Sequence, residues 1–239
     1  MFDYHMHSTV SFDGHDSGLA MAMAAKAAGL KEICFTDHID HDCDAEGRSM
    51  VFDPKVYSAE YDNLEVEGLK IRRGVEYGLK PYNKETMQKD LQQRNFDFVL
   101  GSVHFVNEQD IYYKEFWQDK TVEQAVQLFL EETLKCVQHH DDYDVLGHLS
   151  YICKARAHPD PKPLYLKDHR EIVDEILKIL VQKGKGMEIN TSGEIVTIGS
   201  DAHNTQRVGQ YAGQACEMMK DIFGYVCTFE GRKPIFHKL

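Results

Sequence analysis

The sequence predicts a barrel-like α/β protein, and three observations carry that reading. Short apolar runs ending in polar residues alternate with longer segments of helical periodicity, the pattern of βαβ units around a parallel sheet. Seven of these runs qualify as strands. No linker, repeat, low-complexity tract or shift in composition divides the 239 residues, so 1–239 reads as one domain, long enough for a full hydrophobic core.

In chain order, strand 2–7 leads to a helix over 17–29, with Ser17 as N-cap and Gly29 as the stop. Strand 32–36 follows, then a helix over 54–67 that Pro54 opens. Strand 70–76, helix 82–94 and strand 97–104 come next, then an amphipathic helix over 121–139 capped by Thr121. After strand 144–148, helix 165–183 carries a stripe from Ile172 through Ile176 to Leu180. Strands 186–190 and 195–199 and a helix over 204–218 complete the order. One junction does not fit. "GMEINTSG" runs straight into "EIVTIGSDAH", whereas adjacent parallel strands need a dozen or more connecting residues. Either these two strands are not parallel neighbours, or the chain lacks a segment between Gly193 and Glu194.

Composition narrows the partners. The net charge is −12 and no basic block occurs, which argues against nucleic acid or an anionic membrane as the main partner. A small anionic substrate stays open, because bound cations reverse the local field. No stretch approaches 18 apolar residues, and "MFDYHMH" has neither a basic nor an apolar signal region. The six scattered cysteines form no CxxC pair and read as reduced thiols of a cytoplasmic protein.

Residue types that bind metals recur at the strands' C-terminal ends, where the active sites of α/β barrels assemble. The first strand ends in His5 and His7, which alternation puts on one face. Asp37 and His38 end the second, Glu76 the third, His104 the fourth and His148 the fifth, and the last leads to Asp201 and His203. Each alone reads as a hydrogen-bonded structural residue or a helix cap. Together they do not, because capping does not call for imidazole. His139, His140, His158, His169 and His237 lie on helices, loops or the tail and read as surface residues.

HxH at 5–7, "TDH" at 36–38, "GVE" at 74–76, "GSVH" at 101–104, "GH" at 147–148 and "SDAH" at 200–203 resemble, in order, the motifs of the PHP (polymerase and histidinol phosphatase) superfamily. The resemblance covers essentially the whole chain. It implies a distorted (β/α)7 TIM-like barrel with a metal cluster at its C-terminal face. "GSVHFV", "EFW", "GHLSYI", "KGKGMEINTSG" and "IGSDAH" are most similar to stand-alone histidinol-phosphate phosphatases. The implied reaction is metal-dependent hydrolysis of L-histidinol phosphate in histidine biosynthesis, with another small phosphoester or a nucleotide as the alternative substrate.

Carried over by motif, His5, His7, Glu76 and Asp201 hold a first metal, and Glu76 bridges to a second completed by His104 and His148. A third takes Asp13, His38 and His203; relatives commonly have His where Asp13 stands, and His15 is its rival. Imidazole with carboxylate selects two to three divalent ions such as Zn, Mn, Fe or Co. Asp201 and His203 are candidates to protonate the leaving alkoxide, and Arg156 and Arg207 to clamp the phosphate. Asp40, His41, Asp42 and Asp44 either support the third metal from outside or are ordinary loop polarity. "YYKEFW" at 112–117 is either a lid or local packing. Relatives continue from an "NTSG"-like stretch through a helical excursion before "GSDAH", in line with the objection at 193–194.

Overall fold

A computed structural model of the chain describes residues 1–45, 48–154, 166–188, 196–220 and 222–239. Seven parallel strands line up in chain order: β1 (Phe2–Asp3), β2 (Glu32–Phe35), β3 (Lys70–Gly78), β4 (Phe98–Ser102), β5 (Val145–Leu146), β6 (Gly186–Glu188) and β7 (Val196–Thr197). The ring closes between the segments that follow β7 and β1. Tyr4 N–H donates to the Ile198 carbonyl at 2.8 Å, Asp201 N–H to the His5 carbonyl at 2.8 Å and His7 N–H to the Ala202 carbonyl at 2.9 Å. The expected distorted (β/α)7 barrel is therefore present.

The helices lie where periodicity and capping put them. α1 (Gly18–Ala27) starts at Ser17, whose hydroxyl accepts from Ala20 N–H, and stops before Gly29 at φ +79°. α2 (Pro54–Tyr61) carries Asp53 as its cap, and α3 (Lys84–Gln92) follows β3. α4 (Val122–His139) opens with a capping box between Thr121 and Gln124, and α5 (Arg170–Gln182) turns Ile176 and Leu180 inward. α6 (Ala212–Met219) is shorter than the 204–218 expected. The chain before it is held in turns instead: Asp16 accepts from Thr205 N–H at 2.8 Å and Asp3 from Gly209 N–H at 2.9 Å.

Three further features depart from the expectations. His38–Ala45 extends the second strand past the barrel and pairs back with Arg48–Val51. A C-terminal hairpin, Tyr225–Glu230 with Lys233–Lys238, has no counterpart in the strand assignment above. It covers the N-terminal mouth of the barrel, where Cys227 and Phe229 pack on Tyr4, Cys34, Phe98, Leu100 and Val145. His140 is buried rather than on the surface, its Nε2 2.8 Å from the Lys80 carbonyl. The strands β6 and β7 are parallel neighbours in register (Met187 opposite Val196), which removes one of the two readings of the 193–194 junction; residues 189–195 themselves lie outside the described set. Among the described residues all six cysteines are free thiols, and no helix is long and apolar enough to cross a membrane.

Tyr4 ties the mouth together, its hydroxyl donating to the Phe229 carbonyl and accepting from Phe229 N–H. Phe229→Ala is expected to destabilise the chain by about 3–5 kcal/mol, the usual cost of removing a buried ring. Urea unfolding checks this, and a loss below about 1 kcal/mol would show that the hairpin does not seal the barrel.

Candidate metal centre

The open end of the barrel gathers five imidazoles around one carboxylate. Glu76 lies inside β3, 1% exposed, and both its oxygens are shared. Oε2 is 3.1 Å from His5 Nε2, 3.4 Å from His7 Nε2 and 3.4 Å from His38 Nδ1. Oε1 is 2.8 Å from His148 Nε2 and 3.2 Å from His104 Nε2. His5 and His7 do leave the first strand together, with Nε2 atoms 3.1 Å apart. Asp201 Oδ1 faces the same pair at 3.4 and 3.5 Å. Its backbone sits in the left-handed region at φ 53°, a strained conformation typical of functional sites. On the outer side, Asp13 Oδ2 is 2.9 Å from His203 Nε2 and 3.5 Å from His38 Nε2.

These contacts resolve into overlapping groups able to hold an ion: His5, His7 and Asp201; His5, Glu76 and His148; His7, Asp13, His38 and His203; and His38, Asp40 and His104. The structure thus brings together the nine residues carried over by motif as ligands, whereas Asp37, also at a strand end, accepts from Ser8 N–H at 2.9 Å and from the Tyr61 hydroxyl. His15 joins none of these groups; its side chain is exposed. Arg207 is exposed in the turn after His203, and Arg156 lies outside the described residues. In "YYKEFW", Phe116 and Trp117 are buried, and the Trp117 indole N–H donates to the Ile111 carbonyl at 2.9 Å. That segment packs locally.

The residues fit divalent transition metals. Asp13 Oδ1 is buried with no hydrogen-bond partner among the described residues, an orphan that a cation would satisfy. Mixed nitrogen and carboxylate donors suit zinc and its first-row neighbours rather than magnesium or calcium.

Motif reading missed Glu188. It is buried on β6, its Oε1 2.7 Å from His5 Nδ1 while Oε2 accepts from His148 N–H at 2.9 Å. That is the carboxylate–histidine arrangement that fixes a ligand's tautomer and orientation. A side chain at Gly199 would put its Cβ 2.2 Å from Glu188 Oε1 and 2.3 Å from the His5 Cβ, so only glycine admits the pair.

Electrostatics follow from this crowding. Burial opposes ionisation and is the largest single effect on each group, but the opposite charges outweigh it everywhere except at His7. Glu188, Glu76 and Asp201 hold His5 well above the usual imidazole range, and Glu76 and Asp13 do the same for His38. Asp40 and Glu76 raise His104 to about 10, and Asp13 raises His203. Conversely, His5 and its neighbours keep Glu76 and Asp201 well below the carboxylate range. His7 goes down to about 4, through burial and then the adjacent His203 and His38.

Comparison with known proteins accords with this geometry. A model of the PHP domain matches residues 3–192. The chain belongs to the PHP domain family. A histidinol-phosphatase of Lactococcus lactis is 31% identical over 258 residues, covering 97% of this chain and 95% of that protein. A probable histidinol-phosphatase of Clostridium acetobutylicum is 29% identical, covering 99% and 96%. The 258 aligned positions exceed the 239 residues here, so the Lactococcus protein carries residues without a counterpart in this chain. The crystal structure of the Lactococcus lactis histidinol phosphate phosphatase complexed with zinc, L-histidinol and phosphate superposes with a TM-score of 0.88 at 29% identity, covering 98% of each chain.

Metal binding needs neutral imidazoles, so loading must release the protons that these raised pKa values retain at neutral pH. Calorimetric titration of the metal-free PHP-family protein with zinc at pH 7, in buffers of different ionisation enthalpy, is expected to report proton release from His5, His38 and His104. Affinity is expected to fall as pH falls. A heat independent of buffer would contradict the charge state derived above.

Proposed function

We propose that this chain is a metal-dependent phosphomonoesterase that hydrolyses L-histidinol phosphate to L-histidinol and phosphate, as a single barrel over 1–239 without the crossover expected between Gly193 and Glu194. The observation that carries the reading is a buried Glu76 shared by imidazoles on a PHP barrel rim, matched along its length to a relative with zinc, L-histidinol and phosphate. His5, His7, Glu76 and Asp201 would hold one ion, Glu76, His104 and His148 a second, and Asp13, His38 and His203 a third. Such ions neutralise the phosphate and acidify water.

The chain's own groups then do the rest. His203 has both ring nitrogens engaged, Nδ1 at 2.9 Å from the Asp201 carbonyl and Nε2 at 2.9 Å from Asp13. It is held as a ligand and is a poor proton carrier. Asp201 makes its side-chain contacts through Oδ1 alone among the described residues and is 28% exposed. That leaves Oδ2 to take the proton of the attacking water and return it to the leaving alkoxide as the P–O bond breaks. Arg207 makes no side-chain polar contact among the described residues, which leaves its guanidinium for the phosphate oxygens.

Phosphate release from L-histidinol phosphate, compared with a panel of nucleotides and other small phosphoesters, tests the substrate. The expected result is the highest kcat/KM on histidinol phosphate; a preference for a nucleotide would move the chain to another PHP phosphoesterase activity. His7→Ala is expected to leave less than a tenth of wild-type turnover, a loss above about 1.4 kcal/mol. Arg207→Ala is expected to lower kcat/KM on the order of tenfold to a hundredfold, for a charge-assisted contact of about 1.5–3 kcal/mol, with metal content unchanged. An unaltered kcat/KM would return Arg207 to the solvated surface.

A further inference from the structure

Outside the ligand set just proposed, one carboxylate touches the imidazole rings of two proposed metal sites at once. Asp40 lies two residues past His38 on the extended second strand and is 1% exposed. Its Oδ1 is 2.9 Å from His104 Nδ1 and its Oδ2 is 3.2 Å from His38 Nδ1. These two rings come from different strands. By the reading above, which this inference rests on, they serve different ions.

The opposite edges of the rings explain the division of labour. His104 turns Nε2 toward Glu76 at 3.2 Å, and His38 turns Nε2 toward Asp13 at 3.5 Å. His38 Nδ1 also lies 3.4 Å from Glu76 Oε2. Once Glu76 gives its lone pairs to cations, Asp40 is the remaining acceptor for that N–H. Each ring would then carry its proton on Nδ1 and offer Nε2 to an ion. The backbone is built for this. His38 pairs with Glu76 and Ile39 with Tyr77 across parallel strands, which brings Asp40 beside Gly78. A Cβ on Gly78 would sit 2.0 Å from Asp40 Oδ1, so the carboxylate crosses to His104 through space that only glycine leaves.

We propose that Asp40 is a positioning residue that couples the second and third metal sites, fixing the tautomer and orientation of His104 and His38 with one buried carboxylate. An asparagine cannot do this, because its amide offers one acceptor oxygen and presents a donor to the other ring.

The test is equilibrium dialysis against buffered free zinc, with metal counted per chain, on wild type, Asp40→Asn and Gly78→Ala. A wild type that binds no zinc would overturn the metal reading itself. With a loaded wild type, Asp40→Asn is expected to shift both the second and third ions together to about 10–100-fold higher free zinc and to leave the first in place. Gly78→Ala, which keeps the carboxylate but displaces it, is expected to give the same paired shift. A shift confined to one ion would make Asp40 an ordinary ligand and overturn the coupling. So would unchanged loading, or loss of every ion together with a lowered thermal midpoint of the metal-free chain. Long-range nitrogen-15 NMR of the zinc-loaded wild type decides the point without any variant. His38 and His104 must both be protonated at Nδ1, and zinc bonded through Nδ1 of either ring overturns the proposal.

Discussion

The structure depends on one buried anion. Glu76 sits inside the barrel with both oxygens within 3.4 Å of imidazoles from both halves of the chain. An ionised carboxylate in such a place is costly unless every lone pair meets positive charge. Those partners are themselves buried and need their own counter-charges, and Asp13, Asp40, Glu188 and Asp201 supply them. Without cations the rings take up protons; with cations the same donor geometry has ions to fill it. The interior of this barrel end is thus specified by charge as tightly as the other end is by packing.

That requirement reaches into the backbone. Carboxylates that steady the imidazoles need space beside neighbouring strands, and Gly78 and Gly199 leave it at two places on the barrel wall. The opposite mouth is closed by aromatic and aliphatic side chains under the C-terminal hairpin. Around it a ring of ion pairs holds Arg72 to Glu32, Asp97 and Glu230, and Arg232 to Asp144. The ligand end can be polar and open because the other end seals the core.

Much of this was legible in the sequence, for identifiable reasons. Strand ends in a parallel barrel converge by topology, so His5, His7, Glu76, His104, His148 and Asp201 announce a common site before any distance is known. Cap residues are equally local, which is why Ser17 and Thr121 mark their helices correctly. What was not legible depends on tertiary context. "HIDHDCDA" has neither clean alternation nor apolar content, and it becomes a strand by pairing with β3 at Glu76 and Tyr77 and turning back on 48–51. Glu188 sits in an unremarkable apolar run, and only the approach of His5 from across the ring shows its use. The C-terminal hairpin carries alternation too weak to separate it from a tail, although Gly231 at φ +52° marks its turn.

Anomalous diffraction at the zinc edge from zinc-loaded crystals tests the central claim most directly. The account predicts two peaks flanking the Glu76 carboxylate, about 3.5–4 Å apart as in two-metal phosphoesterases. A third is expected within bonding reach of Asp13, His38 and His203. Peaks elsewhere, or a single peak with Glu76 bound to none of it, would contradict the shared carboxylate on which the site is built.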